Sequence, residues 1–562
     1  MTAAVARRHG GGWMRAMRGL LPSLGDYRGL RRSWRGDLIA GITVGIVALP
    51  LALGFGVSSG LTAEAGLVTA IVAGLLAAVF GGSNVQVSGP TGAMVVVLLP
   101  IVASHGAGAV ALVSVMAGAI VLLAGLFRLG RAVSFIPWPV IEGFTLGIAI
   151  IIFLQQIPLL VAPGTPSAAD HSSHAIVAAM QAVAAADWAY VPWALAAAGI
   201  VAGCMLVAPR IHPSIPGSLI GIVLVTAAAA LLPTPLSTIG ALPSSLPLPT
   251  LPVVTFGTLG DLALPAVTVA ALAAIESLLS ARVAASLADT GPYEPDRELV
   301  GQGLASIGSG LFGGMPATGA IARTAVNVRS GGRTRLASIT HAVVLIAVVL
   351  IASGPVGAIP LAALAGVLMM TALRMVHAGT VRSVLRSTRA DAAAFVVTAV
   401  VTVSFDLIVA VVIGVAFAGI FALRGVSRAT GVHREAITGD IVAGDERIAI
   451  IRIDGPLFFV AADRVFDTVM GLQEVSVVVL RMSQLELVDA TGARILTEIV
   501  QSLERRGVTV LIKGVQPGHE DLFRTVGVLG SLRHHNHLFA DLPSAIEHAR
   551  SHVRRESAES SA

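Results

Sequence analysis

Gly74–Gly92 reads GLLAAVFGGSNVQVSGPTG, and Gly310–Gly319 reads GLFGGMPATG. In both, a Phe-Gly-Gly is followed by a short extended stretch and then a Thr-Gly that opens a short helix. The two Phe-Gly-Gly units begin at Phe80 and Phe312, 232 residues apart. The chain around them is strongly apolar: of 562 residues 55% are hydrophobic and 12% charged, with a mean hydropathy of +0.85. Soluble domains carry roughly 25% charged residues. A chain this poor in charge has too little polar surface to cover soluble cores, so it reads as an integral membrane protein.

Runs long enough to cross a bilayer, about 20 residues each, lie at 37–59, 62–80, 107–126, 136–160, 187–208, 215–232, 264–288, 336–353 and 359–376. The stretch 391–423 is too long for one crossing and reads as two segments with a turn near Asp406. Adding the short segments 88–103, 298–312 and 318–329 predicts fourteen spans. With a cytoplasmic N-terminus, the even-numbered loops hold Arg128, Arg131, Arg210, Arg297, Arg329, Arg333, Arg335, Arg374, Arg382, Arg386 and Arg389, and the odd-numbered loops hold no Arg or Lys. That parity follows the positive-inside bias and puts both termini in the cytoplasm; the location expected is a bacterial-type plasma (inner) membrane. The N-terminal 434 residues carry 24 Arg, no Lys and 14 acids, whereas the remainder carries 13 basic and 18 acidic residues. The basic character therefore belongs to the membrane body and does not indicate a nucleic-acid partner.

The 232-residue offset matches seven spans, so the membrane domain reads as two copies of one unit. Seven is odd, so the copies run in opposite orientations. Two interrupted helices then enter from opposite sides, with their N-termini converging near the midplane. A helix N-terminus carries free N–H groups and about half a positive charge, so two facing starts make an anion site without any lysine. The candidate binding residues are Thr91 and Gly92 at one start, and Thr318, Gly319 and Ala320 at the other. Close helix packing by the glycines is the plainer reading of such a motif, but its duplication with breaks in matching places favours a site.

Glu276 lies inside the apolar run 264–288, with Ser280 four positions later on the same helix face. A charge at the bilayer centre costs roughly 2.5–3.5 kcal/mol on insertion scales, so a residue kept there faces a cavity or a partner. Arg323 stands about one turn into its helix, where its guanidinium can reach back to that helix's start and pair with a carboxylate or sulfate. Glu276 and Ser280 are the candidate ion-coupling residues. The coupling ion is a proton or, alternatively, a sodium ion held with backbone carbonyls; no other cofactor is expected. The bland alternative is a structural Glu276–Arg323 ion pair. Glu64, Glu142 and Asp406 read as rim or structural groups, and His341 and His377 as packed histidines.

The single cysteine, Cys204, excludes disulfides and thiolate clusters. No Ser/His/Asp set, phosphate-binding loop or metal motif is apparent, so no enzyme is expected. Residues 1–36 form a basic cytoplasmic segment, 37–425 the transmembrane domain, 426–447 a polar linker, 448–555 a small soluble α/β domain, and 556–562 a disordered tail. In the soluble domain, Ile448–Ile453, Val475–Leu480 and Val508–Ile512 read as strands. Helices begin near Ala461 and Ala490, and a last one covers about Pro543–Val553.

Gly41–Gly60 (GITVGIVALPLALGFGVSSG), Val87–Gly92, Ala274–Leu279 (AIESLL), Val300–Gly303 and Gly313–Gly332 (GGMPATGAIARTAVNVRSGG) together resemble the sulfate permease family of anion transporters. The resemblance implies a polytopic all-α membrane domain of fourteen spans in 7+7 inverted repeats with two half-helices meeting at the midplane, plus a cytoplasmic STAS domain. It implies a small inorganic or organic anion as the partner within the lipid bilayer, and a homodimer formed through the STAS and membrane domains. The anion would sit between the first helix after Pro50, the helices opening at Thr91-Gly92 and Thr318, and the span holding Glu276. Leu51 and Phe55 in the first span, with Asp406, are secondary candidates. Leu51 stands where sulfate-transporting relatives commonly carry glutamine, and its Pro-Leu-Ala surroundings look closer to bacterial members that move dicarboxylates with protons. A sodium-coupled bicarbonate branch has Asp at Glu276, Thr at Ser280 and no Arg at Arg323.

In the STAS-like domain, Asp489-Ala490-Thr491-Gly492 matches the loop in which related domains carry a phosphorylatable serine. Here that position is Ala490, which leaves Asp489 and Thr491 as the loop candidates. The function expected is therefore secondary active transport of small anions (sulfate-type or C4-dicarboxylate) as a proton symporter. A sodium-coupled bicarbonate transporter is the near alternative, and a non-transporting scaffold or sensor acting through the STAS domain the distant one.

Overall fold

Long runs of Ala, Val, Leu, Ile and Gly wind into helices here because a helix satisfies every backbone N–H and C=O within its own segment, which a bilayer demands. The computed structural model describes residues 19–27, 29–130, 137–163, 175–212, 215–252, 256–287, 293–404, 431–437 and 440–560, with pieces of 413–421. The chain divides into two compact units, Met1–Val415 and Ala416–Ala562.

In the first unit the chain runs α1 (Leu30–Ser58), α2 (Ala63–Phe80), β1 (Ser88–Gly89), α3 (Gly92–His105), α4 (Gly108–Leu126), α5 (Trp138–Gln155), α6 (Ile157–Val161), α7 (Ala175–Ala184), α8 (Val191–Ile211) and α9 (Gly217–Leu231). It continues through α10 (Phe256–Leu287), α11 (Pro295–Leu311), β2 (Thr318–Gly319), α12 (Ile321–Arg329), α13 (Arg335–Gly357), α14 (Leu361–Met375), α15 (Ala378–Leu385) and α16 (Arg389–Ser404). The series α1, α2, β1, α3, α4 thus recurs as α10, α11, β2, α12, α13. β1 and β2 pair antiparallel, with Ser88 opposite Gly319 and Gly89 opposite Thr318, as two copies in opposite orientation require.

Eight described helices are long and apolar enough to cross a membrane. This falls short of the fourteen spans expected, because the half-helices α3 and α12 and the helices α9, α11 and α16 have 17 residues or fewer, and residues 405–412, with Asp406 and its turn, lie outside the described residues. The first helix also starts earlier than the apolar run at 37 suggests. Asp37 fixes that end of α1: its carboxylate accepts from Ser33 Oγ (2.7 Å), the backbone N–H of Arg333 (2.6 Å) and both the N–H (3.0 Å) and hydroxyl (2.7 Å) of Thr334.

The helices pack in two sets. In one, α4 lies along α11, and α13 along α1 and α2. Glycines permit the approach: a Cβ on Gly118 would meet the Gly303 carbonyl oxygen at 2.7 Å, and one on Gly303 would meet the Leu122 nitrogen at 2.6 Å. In the other set, α5 packs with α16 and α14, and α8 with α9 and α14.

The second unit is a sheet ordered β3 (Gly431–Glu435), β4 (Ile448–Leu457), β5 (Val477–Arg481), β7 (Thr509–Lys513), β8 (Leu538–Phe539), with β6 (Leu485–Val488) paired to β4. β3 is antiparallel to β4 and the other pairs are parallel. Alternation along β4 sends Ala449, Ile451 and Ile453 to a core with α17 (Phe459–Met470), α18 (Ala490–Arg505) and α19 (Pro517–Val526), and Ile448 and Ile450 to the opposite face under α20 (Leu542–Ser560). Two stretches differ from the sequence reading. β3 falls within the expected linker because Glu435 is tied to Arg452 and Arg481 of the next strands, at 2.7 and 2.8 Å. The expected tail is helical to Ser560 as the continuation of α20.

Candidate functional site

The site is built where the two short strands meet. Ala320 N–H donates to the Val87 carbonyl (2.8 Å) and Gly319 N–H to Ser277 Oγ of α10 (3.1 Å). These bonds keep the chain extended through Gly319, so the second half-helix opens at Ile321 with Ala320 as its cap, not at Thr318 as the sequence suggests. The first opens at Gly92 with Thr91 as its cap, as expected. Neither start has a side-chain cap, because Thr91, the one capping residue with a hydroxyl, turns that hydroxyl elsewhere. Two sets of amino-terminal N–H groups are thus brought side by side without side-chain partners.

The Thr91 hydroxyl goes to Glu276. Its Oγ1 donates to Glu276 Oε2 at 2.9 Å, Thr318 Oγ1 approaches the same oxygen at 2.7 Å, and the two hydroxyl oxygens lie 3.1 Å apart. The cap of the first half-helix, the strand before the second and α10 therefore each give one residue to a triangle of oxygens. A hydroxyl has one proton to donate. With Glu276 ionised, both hydroxyls can donate to the carboxylate and the third edge has no proton. Closing all three edges takes a third proton, and the carboxyl is the group that can carry it.

Arg323 does not pair with Glu276: no ion pair joins them among the described residues. The guanidinium also does not fold back on its own helix start. It crosses to the other repeat, where Nη2 donates to the Pro90 carbonyl, while Nη1 is buried without a hydrogen-bond partner. The crossing depends on Gly89, where a Cβ would stand 2.5 Å from Nη1. Arg323 is thus a buried cation beside Thr91 with one donor nitrogen uncommitted.

Ser280 is buried but lies 3.5 Å from Thr324 Oγ1 instead of joining Glu276. Leu51 and Phe55 are buried one turn apart on α1, and the Phe55 ring approaches the Cβ position of Gly92 at 3.4 Å. Sequence reasoning missed Gln86, Ser277, Thr324 and Asn327, which lock the strands in place. Thr324 Oγ1 accepts from Val87 N–H (3.0 Å), Gln86 Nε2 donates to the Ser277 carbonyl (3.3 Å), and Asn327 Nδ2 donates to the Val85 carbonyl (2.7 Å). Their signal was present as uncharged polar residues at membrane depth, the most weakly marked kind.

Glu142 accepts from the Trp138 indole (3.0 Å), Glu64 sits in the first turn of α2, and His341 is fully buried beside Gly74. In the second unit, Asp489 caps α18 by accepting from Gly492 N–H (2.7 Å), with Ala490 and Thr491 exposed in the first turn.

The profile of the sulfate permease family matches residues 34–398, and that of the STAS domain residues 441–545. "Putative sulfate transporter YvdB" of Bacillus subtilis is 34% identical over 514 residues, covering 90% of this chain and 96% of its own. The bicarbonate transporter BicA of Synechocystis is 31% identical over 509 residues, covering 86% and 88%. Among solved structures, the transmembrane domain of a cyanobacterial BicA aligns at TM-score 0.60 and 31% identity, covering 69% of this chain and 98% of that one. The murine Slc26a9 anion transporter in its inward-facing state aligns at TM-score 0.82 with 17% identity over 96% of this chain and 95% of that one, a likeness of fold.

Proposed function

The chain belongs to the sulfate permease family, and from that premise we propose that it is a secondary active transporter of small anions, moving them with protons by alternating access. The observation that carries this reading is the meeting of two uncapped half-helix starts, the free Nη1 of the buried Arg323 and the part-buried carboxyl of Glu276. The N–H groups and Arg323 supply positive potential for an anion, by helix dipole and by charge-assisted hydrogen bonding. Thr91 and Thr318 link that anion site to Glu276, because Thr91 caps one half-helix, Thr318 lies in the strand that leads into the other, and each touches the carboxyl.

Coupling follows from charge and proton count. An anion arriving beside an ionised Glu276 places two negative groups in a small space, and a proton on the carboxyl relieves the repulsion while closing the oxygen triangle. Both then cross together, and release of either favours release of the other. The moving parts would be the set containing α1–α4 and α10–α13 against the set containing α5, α8, α9, α14 and α16. The protein would act as a homodimer in the bacterial inner membrane, with both termini cytoplasmic. The preferred anions are C4-dicarboxylates and sulfate, which offer two charged ends or a tetrahedron of acceptor oxygens to the paired helix starts and Arg323.

A second reading takes bicarbonate as the anion, which the bicarbonate transporters BicA at 31% identity favour, with sodium at the Glu276 oxygens as its coupling ion. Uptake of labelled succinate, sulfate and bicarbonate into proteoliposomes, with proton and sodium gradients imposed separately, distinguishes them. Proton-driven succinate or sulfate uptake supports the proposal; sodium-driven bicarbonate uptake replaces it with the second reading. Silence for all three under both gradients would leave a scaffold or sensor.

A further inference from the structure

Far from the oxygen triangle in sequence, the second unit gathers three histidines. Ring nitrogens of His537, His548 and His552 all lie within 4.8 Å of one another. His548 and His552 stand four apart on α20 and so share a face, with their Nε2 atoms 3.3 Å apart. His537 comes from the short 3-10 turn His535–His537 immediately before β8 and is buried, 1% exposed. The Val510 carbonyl of β7 faces its ring, and its Nδ1 has no hydrogen-bond partner. Burial foremost, then His552, His548 and His534, pushes the His537 ring down to about 4, and burial lowers both helix histidines. Burial thus favours the neutral imidazole at all three positions, the form that ligates metals.

We propose that His537, His548 and His552 form a binding site for one divalent transition ion of the Zn2+ class, which ties α20 to the β7–β8 edge of the sheet. Two imidazole nitrogens on a tetrahedral zinc, each at about 2.0–2.1 Å, lie about 3.3–3.4 Å apart, which is the separation of the two Nε2 atoms on α20. A hydrogen bond between those two rings would account for the pair but not for the buried Nδ1 of His537. A shared ion uses all three. The Val510 carbonyl accepts from the His537 ring, fixing the tautomer that leaves Nδ1 free for metal. An all-nitrogen set selects zinc, nickel or copper over magnesium and calcium, which take oxygen. The fourth position is open to water or to His534, whose ring centroid is 5.4 Å from that of His537. The site is independent of what the membrane unit carries.

The test uses the full-length chain, without a histidine tag, in detergent and stripped of metal. Equilibrium dialysis against Zn2+ is expected to give one tightly held equivalent per chain, and Co2+ is expected to give the intense visible bands of a four-coordinate site. A His548→Gln/His552→Gln double variant should lose that equivalent and those bands, whereas His433→Gln on β3 should keep both. Equal zinc uptake by the wild type and a folded double variant would overturn the site. If the double variant fails to fold, the Co2+ spectrum of the unmutated protein decides: four-coordinate bands support the site, and their absence overturns it.

Discussion

Replacing Thr318 with valine keeps the shape of the second strand and removes one hydroxyl. That hydroxyl lies 2.7 Å from Glu276 Oε2 and 3.1 Å from Thr91 Oγ1, so the ionised carboxylate is left with Thr91 as its remaining hydroxyl donor. A hydrogen bond to a charged acceptor is worth about 1.5–3 kcal/mol, and each ~1.4 kcal/mol is a factor of ten. Initial uptake at sub-saturating anion should therefore fall roughly 10–150-fold in Thr318→Val, and by much less in Thr318→Ser, which retains the donor. The assay is gradient-driven uptake in proteoliposomes with matched protein density, run as a double-mutant cycle with Glu276→Gln. If the hydroxyl acts through the carboxyl, Thr318→Val adds little to the loss already caused by Glu276→Gln. Wild-type uptake by Thr318→Val, or losses that multiply independently in the double variant, would refute this reasoning.

Three further outcomes are expected. A Cβ on Gly319 would land on Gln86 Nε2 and within 3.1 Å of Ser280 Cβ, so Gly319→Ala should destabilise the protein by about 1–3 kcal/mol through overpacking and lower its thermal midpoint in detergent. At the end of the N-terminal segment, hydrogen bonding from Arg297 holds the Asp26 carboxyl down at about 2, against an ordinary 3.8. A depressed carboxylate contributes stability that is present above its unfolded value and lost as pH falls through the folded one. The gap in thermal midpoint between wild type and Asp26→Asn should thus be full at pH 6 and close between pH 3.8 and about 2. In the second unit, Asp489→Ala removes the cap that accepts from Gly492 N–H and should cost about 1 kcal/mol of that unit's stability, read by its chemical denaturation.

The duplicated Phe-Gly-Gly and Thr-Gly stretches were enough to anticipate two opposed half-helices, because glycine and an extended break inside apolar sequence have few structural meanings. Glu276 was equally visible, as a charge without an aqueous reason. What each charge touches was not visible. The partner of Glu276 is set by the β1–β2 register, which brings Thr91 and Thr318 onto one oxygen, and no spacing along the chain reveals that pairing. The same register carries Arg323 to Pro90 of the other repeat, where a reading along one helix sends it to its own start. Gln86, Ser277, Thr324 and Asn327 escaped because a buried amide or hydroxyl looks like any other small polar residue until its backbone partner is known. The HxxxH pair at His548 and His552 does not read as a metal motif, because two histidines on one helix face are too few to mark one and the third comes from a turn that only the sheet brings near.

The central claim is that Glu276 couples the anion to its driving ion while Arg323 and the helix starts hold the anion. It is tested most directly by comparing gradient-driven accumulation with anion counterflow in Glu276→Gln proteoliposomes. Accumulation under a proton gradient should be lost while counterflow of the same anion persists, and Arg323→Ala should lose both. Accumulation at the wild-type level in Glu276→Gln would contradict the claim.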